Sequence, residues 1–151
     1  MAIQPDFREL LELFNARAVE YLIVGAHALA FHGSPRATGD IDLYVNPTPA
    51  NARRIVAALA AFGFGDIDLA AADFEQPDRV VQLGVPPVRV DLITSITGVS
   101  WDRAEAGKVA ATYGDVPVHY LGRDEFIANK TAIGRPKDLA DLDALGASGP
   151  G

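Results

Sequence analysis

The sequence contains no cysteine, which excludes disulfide bonds and metal sites built from thiolates. No apolar run approaches the roughly 20 residues that a membrane-spanning helix needs, so we expect no contact with a membrane. The first residues lack the basic start and the apolar stretch of a secretory signal. Because no Gly-x-x-x-x-Gly-Lys-Ser/Thr segment is present either, hydrolysis on a P-loop fold is disfavoured. These absences favour a soluble cytoplasmic protein.

Basic residues are also few, with 13 Lys and Arg against 20 Asp and Glu, for a formal net charge of −7. Broad, sequence-independent binding to nucleic acid depends on many cationic contacts to phosphate, so this balance argues against it. A nucleotide or an RNA end held locally by a few Lys and Arg remains compatible with the charge. The informative question is whether some of the carboxylates converge.

The composition, with 49% hydrophobic and 22% charged residues in a chain of 151, is that of one globular domain. We expect residues 1–146 to form that domain and residues 147–151 to be a flexible tail. Hydrophobic periodicity and turn residues predict a small mixed sheet covered by helices, an α+β (mixed α/β) fold. The predicted strands are 21–24, 40–45, 79–84, 88–94, 108–113 and 116–121. The predicted helices are 5–17, 26–31, 50–62, 124–133 and 137–145, and 66–77 is read as loop with strand fragments.

A pair of carboxylates stands on the strand that begins with Asp40-Ile41-Asp42. Residues two apart on a strand face the same way, which places Asp40 and Asp42 together at a backbone separation of roughly 7 Å. Because two like charges side by side repel, the pair suits a divalent cation, and Mg²⁺ prefers such oxygen ligands. The alternative is an exposed strand face that carries two Asp by accident. Tyr44 continues the same face and is a candidate border of a base pocket.

A third carboxylate, Asp91, stands inside the apolar strand 88–93, on the same face as Arg89. An Asp in such a strand is costly unless it is paired or bound to metal. If this strand lies beside the first, three carboxylates meet, as a two-metal phosphoryl-transfer site requires. The alternative for Asp91 is a salt bridge with Arg89 or a position at the strand end.

Several further residues are candidates for nucleotide binding. They stand at a strand-to-helix turn, in the loop before Asp40, or in a cationic cluster near the C-terminus, and they are Gly25, Ala26, Arg36, Thr38, Lys130, Arg135 and Lys137. Glycine at such a turn lets the backbone approach a ligand, and helix N-terminal N–H groups attract phosphate. The alternative for the cationic cluster is pairing with Asp138 or Asp141. His27 and His32 are expected to be packing or surface residues.

Together, Gly25-Ala26, Asp40-Ile41-Asp42 and Arg89-Val90-Asp91 resemble the nucleotidyltransferase superfamily. Residues 24–29, 36–42 and 129–142 resemble the AbiEii-like proteins within it, some of which are toxins paired with an antitoxin. The resemblance implies transfer of a nucleoside monophosphate from an NTP, ATP among them, to a hydroxyl acceptor, with release of pyrophosphate. It also implies two Mg²⁺ ions, or Mn²⁺ in their place, with Asp40 and Asp42 binding both. Asp91 would hold the ion that lowers the pKa of the acceptor hydroxyl.

The sequence departs from the family at Ala26, where a second Gly or a Ser is usual, and the chain offers no evident acceptor-recognition domain. An alternative is therefore a non-catalytic module that binds a nucleotide or a partner protein on the same fold. A third reading is a transferase that modifies a small molecule, similar to those that adenylylate antibiotics. The acceptor, whether an RNA end, a protein or a small molecule, and an antitoxin or homodimer partner stay open.

Overall fold

The computed structural model describes residues 3–33, 40–64, 69–85 and 88–146. Its helices are α1 (Pro5–Ala16), α2 (Gly25–Phe31), α3 (Pro49–Leu59), α4 (Trp101–Gly107), α5 (Arg123–Ile133) and α6 (Pro136–Ala144). Its strands are β1 (Tyr21–Val24), β2 (Asp40–Val45), β3 (Val80–Leu83), β4 (Arg89–Ile93), β5 (Val109–Tyr113) and β6 (Val116–Tyr120). The expected tail, residues 147–151, lies outside the described residues.

The six strands form one mixed sheet in the order β3-β4-β2-β1-β6-β5. The hairpins β3–β4 and β5–β6 are antiparallel, and β1 is antiparallel to β2. The pairs β2–β4 and β1–β6 are parallel. The predicted mixed α+β fold is therefore confirmed, and β2 lies next to β4, although the chain runs through α3 between them.

The core lies where the apolar faces of helices and strands meet. All four residues of β1 are buried, since this strand is central in the sheet. Helix α1 buries Phe7, Leu10, Leu11 and Phe14, whose spacing of three and four places them on one face. A proline stands at the first turn of both α1 and α3, and Gln4 and Thr48 accept hydrogen bonds from the backbone N–H groups of Asp6 and Asn51. Local signals thus fix where these helices begin.

Helix α4 is an element that the sequence reading did not predict. Its cap is Ser100, whose side chain accepts a hydrogen bond from the backbone N–H of Arg103. The ring of Trp101 packs edge-on against Tyr44, with centroids 5.2 Å apart, so that Tyr44 is only 2% exposed. The interpretation of Tyr44 as the border of a base pocket is therefore wrong, because α4 covers it.

The segment between α3 and β3 also differs from the prediction of loop with strand fragments. Helix α3 continues into a π-helical turn at Ala60–Phe64, and a 3₁₀ turn at Ala71–Phe74 buries Phe74. Residues 65–68 lie outside the described part of the chain. Across the described ranges, no helix has the length and apolar character to cross a membrane.

Candidate active site

Four charged residues lie in two opposing pairs on the neighbouring strands β2 and β4. The parallel register places Asp40 opposite Arg89 and Asp42 opposite Asp91. Residues two apart on a strand share a face, so all four side chains lie on one side of the sheet. The structure thus brings the three predicted carboxylates together, with one arginine among them.

The guanidinium of Arg89 contacts two of the three carboxylates. Its Nε and Nη2 donate hydrogen bonds to the two carboxylate oxygens of Asp91, each at 3.2 Å. Its Nη1 lies 3.8 Å from Oδ2 of Asp40. The salt bridge considered as the alternative for Asp91 is therefore present, in addition to the convergence of the carboxylates.

The carboxyl group of Asp42 has a raised pKa. Burial raises its pKa, the neighbouring charge of Asp91 and a hydrogen bond with Asp91 raise it further, and Asp40 adds to the shift. Lys130 opposes these effects, and the result is a pKa of about 6. A raised pKa means that the site resists holding all three negative charges at once. More positive charge at this point would relieve that resistance.

The chemistry of the donor set fits a divalent cation. Three carboxylates supply oxygen ligands of the kind that Mg²⁺ and Mn²⁺ prefer. Among the residues that the structure describes, no three acidic or histidine side chains are arranged so that they could hold a metal ion as they stand. The guanidinium of Arg89 instead contacts Asp91 and reaches Asp40.

Gly25 adjoins this site from the first turn of α2. Its φ of +67° lies in the left-handed region, which disfavours residues with a side chain. A Cβ at this position would also overlap the carboxylate of Asp42. The glycine is therefore required where the carboxylate packs over the turn. Ala26, the departure from the family pattern, follows it and is half-buried.

A cleft of about 240 Å³ opens beside Asp42. Gly25 and Asp42 line one part of it, and Lys130 and Ile133 of α5 line another. The rest of the wall comes from the segment after β4, including Ser95, Ile96 and Thr97. The amide Nδ2 of Asn129 donates to the carbonyl of Thr97 at 2.8 Å, which ties this segment to α5. The cleft thus offers a cation, polar groups and apolar side chains beside the carboxylates.

Lys130 stands between this cleft and helix α6. Its Nζ lies 3.4 Å from Oδ1 of Asp138 and 3.6 Å from Oδ2 of Asp141, and its side chain is 13% exposed. The ring centroid of Phe126 lies 5.5 Å from the same nitrogen. The predicted pairing alternative is therefore present. Lys130 nevertheless lines the cleft, and its charge lowers the pKa of Asp42.

The other predicted nucleotide-binding residues are placed differently. The Nε of Arg135 donates to Oδ2 of Asp138 at 2.7 Å, and Lys137 is exposed on α6. Within the described part of the chain, neither residue lines the cleft. Their predicted contact with the triphosphate has no support in this geometry, because α6 directs Arg135 to its own first turn. Arg36 and Thr38 lie outside the described residues.

The two histidines pack as expected. His27 is 4% exposed, and its ring lies edge-on to Phe7. Burial lowers its pKa. The Nε2 of His32 lies 2.7 Å from the carbonyl oxygen of Leu121. Both residues serve the packing of α2.

Sequence reasoning missed some residues of the site. The sequence pattern indicates Arg89 only as a salt-bridge partner of Asp91, because alternation places these two residues on one face but does not show Asp40 beside them. Ser95, Ile96 and Thr97 carry no periodic signal, since they follow the strand as irregular chain. Asn129 stands next to Lys130 in the sequence, and its role became visible only through its hydrogen bond to the segment after β4.

Comparison with solved structures identifies the architecture. The chain is similar to the crystal structure of a protein from Thermotoga maritima whose assignment as a nucleotidyltransferase is itself provisional. The TM-score is 0.62, and the match covers 94% of this chain and 93% of that one. The chain has a nucleotidyltransferase fold. Because the two sequences are only 15% identical, this likeness establishes the fold and not an activity. No protein-family model matches the sequence, and no curated protein matches it.

Proposed function

We propose that the chain is a metal-dependent nucleotidyltransferase, which transfers a nucleoside monophosphate from an NTP to a hydroxyl acceptor. The observation that supports this most strongly is the register of β2 and β4, which places Asp42 beside Asp91 with Asp40 on the same face. Of these carboxylates, Asp42 lines a cleft that Gly25 and Lys130 also line. The fold is that of the similar Thermotoga maritima protein. The three carboxylates also match the nucleotidyltransferase motif that the sequence resembles.

Asp40, Asp42 and Asp91 are the residues that would hold Mg²⁺ or Mn²⁺. When bound, two such ions neutralise the triphosphate and lower the pKa of the attacking hydroxyl. The raised pKa of Asp42 and the presence of Arg89 among the carboxylates both indicate a place that attracts positive charge. The fit of these residues to a divalent cation therefore rests on their three carboxylates and on the guanidinium of Arg89 that lies among them.

The remaining residues of the cleft would bind and orient the nucleotide. Gly25 lets the carboxylate of Asp42 pack over the turn at the edge of the cleft, and Lys130 offers an ammonium group to the phosphates. The acceptor oxygen attacks the α-phosphorus, the bond to pyrophosphate breaks, and the acceptor loses its proton. By resemblance to the family, Asp91 assists the removal of that proton.

The acceptor is an RNA end, a protein or a small molecule, and the resemblance to AbiEii-like proteins favours a component of a toxin–antitoxin pair. An antitoxin chain or a second copy of this chain would then supply an acceptor-binding surface. These finer assignments rest on the motifs in residues 24–29, 36–42 and 129–142.

Calorimetric titration of each NTP with Mg²⁺ or Mn²⁺ tests the proposal. Asp42→Asn and Asp91→Asn should abolish metal-dependent binding, whereas Asp124→Asn, an exposed residue in the first turn of α5, should leave it unchanged. Transfer is then followed with α-labelled NTP and RNA, protein or small hydroxyl acceptors. If the wild-type protein binds no NTP with either metal, the proposed function is wrong.

A second candidate is nucleotide binding without transfer, and Ala26 favours it. The alanine stands where a second glycine or a serine is usual, which removes a hydroxyl or some backbone freedom at the phosphate turn. Metal-dependent NTP binding with no labelled product across the acceptor screen would support this candidate. Replacing Ala26 with Ser should then strengthen triphosphate binding without changing metal binding.

A further inference from the structure

Arg89 occupies the carboxylate group that the proposed function assigns to metal ions. Its two hydrogen bonds, both at 3.2 Å, use both oxygens of Asp91, and a third nitrogen reaches Asp40 at 3.8 Å. A metal ion bound by the same carboxylates would draw on the same oxygen atoms, and two cations at one carboxylate group repel each other. The guanidinium and the ion therefore compete for this position.

We propose that Arg89 is an internal competitor of the divalent cation, which holds the carboxylates together in the metal-free protein and is displaced when the cation binds. This inference rests on the proposed function, because it requires that the carboxylates bind metal. It goes beyond that function by assigning to Arg89 the control of the metal concentration at which the site becomes occupied.

The charges favour such an exchange. Asp40, Asp42 and Asp91 carry up to three negative charges, whereas Arg89 supplies one positive charge spread over a planar group. Arg89 contacts both Asp91 and Asp40, so its single charge is shared between two of the three carboxylates. A compact ion of charge +2 would compensate the carboxylates more completely. The metal-free arrangement is therefore stable enough to form and weak enough to be replaced.

The position of Arg89 also allows it to leave. Its side chain is 31% exposed, and β4 anchors only its backbone. An arginine can keep its aliphatic stem on the protein surface while the guanidinium turns to water. Asp91, whose side chain is 11% exposed, stays in place. Displacement thus needs the rotation of one side chain and no change of the sheet.

Competition of this kind has a measurable size. A ligand whose binding-competent state is populated for only a fraction f of the time binds with an apparent Kd raised by 1/f. If Arg89 holds the carboxylates for about nine-tenths of the time, its removal lowers the apparent Kd of the metal about tenfold.

The test is a titration of the full chain with MnCl₂ alone, in which electron paramagnetic resonance reports the free Mn²⁺. Arg89→Gln should bind Mn²⁺ about five to ten times more tightly than wild type. Arg54→Gln, at an exposed position on α3 outside the cleft, changes the net charge equally and should stay within about twofold. Arg89→Lys keeps the charge but loses the two-point contact, so its affinity should fall between those of Arg89→Gln and wild type.

Thermal unfolding without nucleotide gives a second measurement that does not depend on activity. In EDTA, Arg89→Gln should unfold about 2–5 °C below wild type, because the carboxylates then lack their internal cation. Saturating Mn²⁺ should remove this difference. If Arg89→Gln does not fold in EDTA, Arg89→Lys serves for both measurements.

The outcomes separate this inference from the proposed function. Equal Mn²⁺ affinity in wild type, Arg89→Gln and Arg54→Gln would overturn the competitor role while leaving metal binding intact. Weaker binding by Arg89→Gln would also overturn it, since Arg89 would then support the ion. If no variant binds Mn²⁺, with or without an NTP, the proposed function and this inference both fail.

Discussion

Gly25 meets two separate demands at the edge of the site. Its backbone has φ +67°, and the space that a Cβ would fill is taken by the carboxylate of Asp42. The first demand is common to many turns, whereas the second comes from the carboxylate of Asp42. A comparison between two glycines of similar φ can therefore separate the two effects.

Gly25→Ala should destabilise the fold more than Gly134→Ala. Gly134, at the end of α5, has φ +69°, and its closest neighbour would be Thr131 O at 3.5 Å, an ordinary contact. The backbone cost of about 1–2 kcal/mol is shared by both variants. Gly25→Ala should lose about 1–3 kcal/mol more, because the methyl group collides with Asp42. Urea unfolding followed by circular dichroism measures the difference, and equal losses would show that Asp42 moves aside freely.

The residues of the candidate site differ in how far the sequence predicts them. The alternation in 40–42 and in 88–93 is local. It already predicts that Asp40 and Asp42 share one face of their strand, and that Arg89 and Asp91 share one face of theirs. That the two pairs meet is a property of the sheet, which no local pattern contains. The double role of Asp91, paired with Arg89 and adjacent to Asp42, likewise follows only from the register.

At the scale of elements, ion pairs connect helices α5 and α6. Lys130 of α5 reaches Asp138 and Asp141 of α6, and both carboxylates are buried. Lys137 of α6 is exposed instead. The sequence grouped these two lysines as one cationic cluster, since they lie only seven positions apart. The helix ends and the turn at Gly134 send them to different surroundings.

Lys130→Met should therefore cost about 1–3 kcal/mol in the free energy of unfolding, because it leaves buried carboxylates short of a partner. Lys137→Met is the matched control and should stay within about 0.5 kcal/mol. Calorimetric titration of an NTP with Mg²⁺ should show a loss of binding for Lys130→Met alone. Similar losses of NTP binding for both variants would contradict the placement of Lys137 outside the cleft.

The contact between Arg135 and Asp138 should make the stability depend on acid pH. The hydrogen bond from Arg135 is the largest cause that lowers the pKa of Asp138, from 3.8 to about 2. The ionised carboxylate therefore stabilises the fold at pH values above 3.8, and this contribution is lost as the pH falls from 3.8 toward 2. Arg135→Gln should be less stable than wild type near neutral pH. The gap should close at about pH 2, and chemical denaturation across this range measures it. A gap that is independent of pH would show that Arg135 does not stabilise the fold through the charge of Asp138.

Most helices and strands follow from local signals, and α4 shows where those signals end. Strong periodicity or alternation predicted β1, β2 and α1 closely, because one face of each is apolar or because the run is fully buried. Helix α4 has seven residues and buries only Ala104 fully, so its pattern is too short to detect. Its function is tertiary, since Trp101 covers Tyr44 on β2.

At the scale of the whole molecule, the order of the strands creates the site. The chain forms β1 and β2 side by side, passes through α3, and returns so that β4 adds to the outer side of β2. A different order would keep every strand and helix and would separate Asp42 from Asp91. Composition predicts a mixed fold but not this order, because strand neighbours depend on contacts between distant segments.

The single sheet that this strand order builds predicts that the described part of the protein unfolds as one unit. Its buried apolar residues form one continuous cluster that extends from α1 through the sheet to α5. Trp101 is the only tryptophan and contacts the central strand β2 through Tyr44, so its fluorescence reports the packing of α4 on the sheet. In urea, that fluorescence and far-ultraviolet circular dichroism should give coincident transitions with one midpoint. An earlier transition in fluorescence would mean that α4 detaches before the sheet melts. In that case the cover over β2 would be separable from the carboxylate site, and residues 1–146 would not be a single cooperative domain.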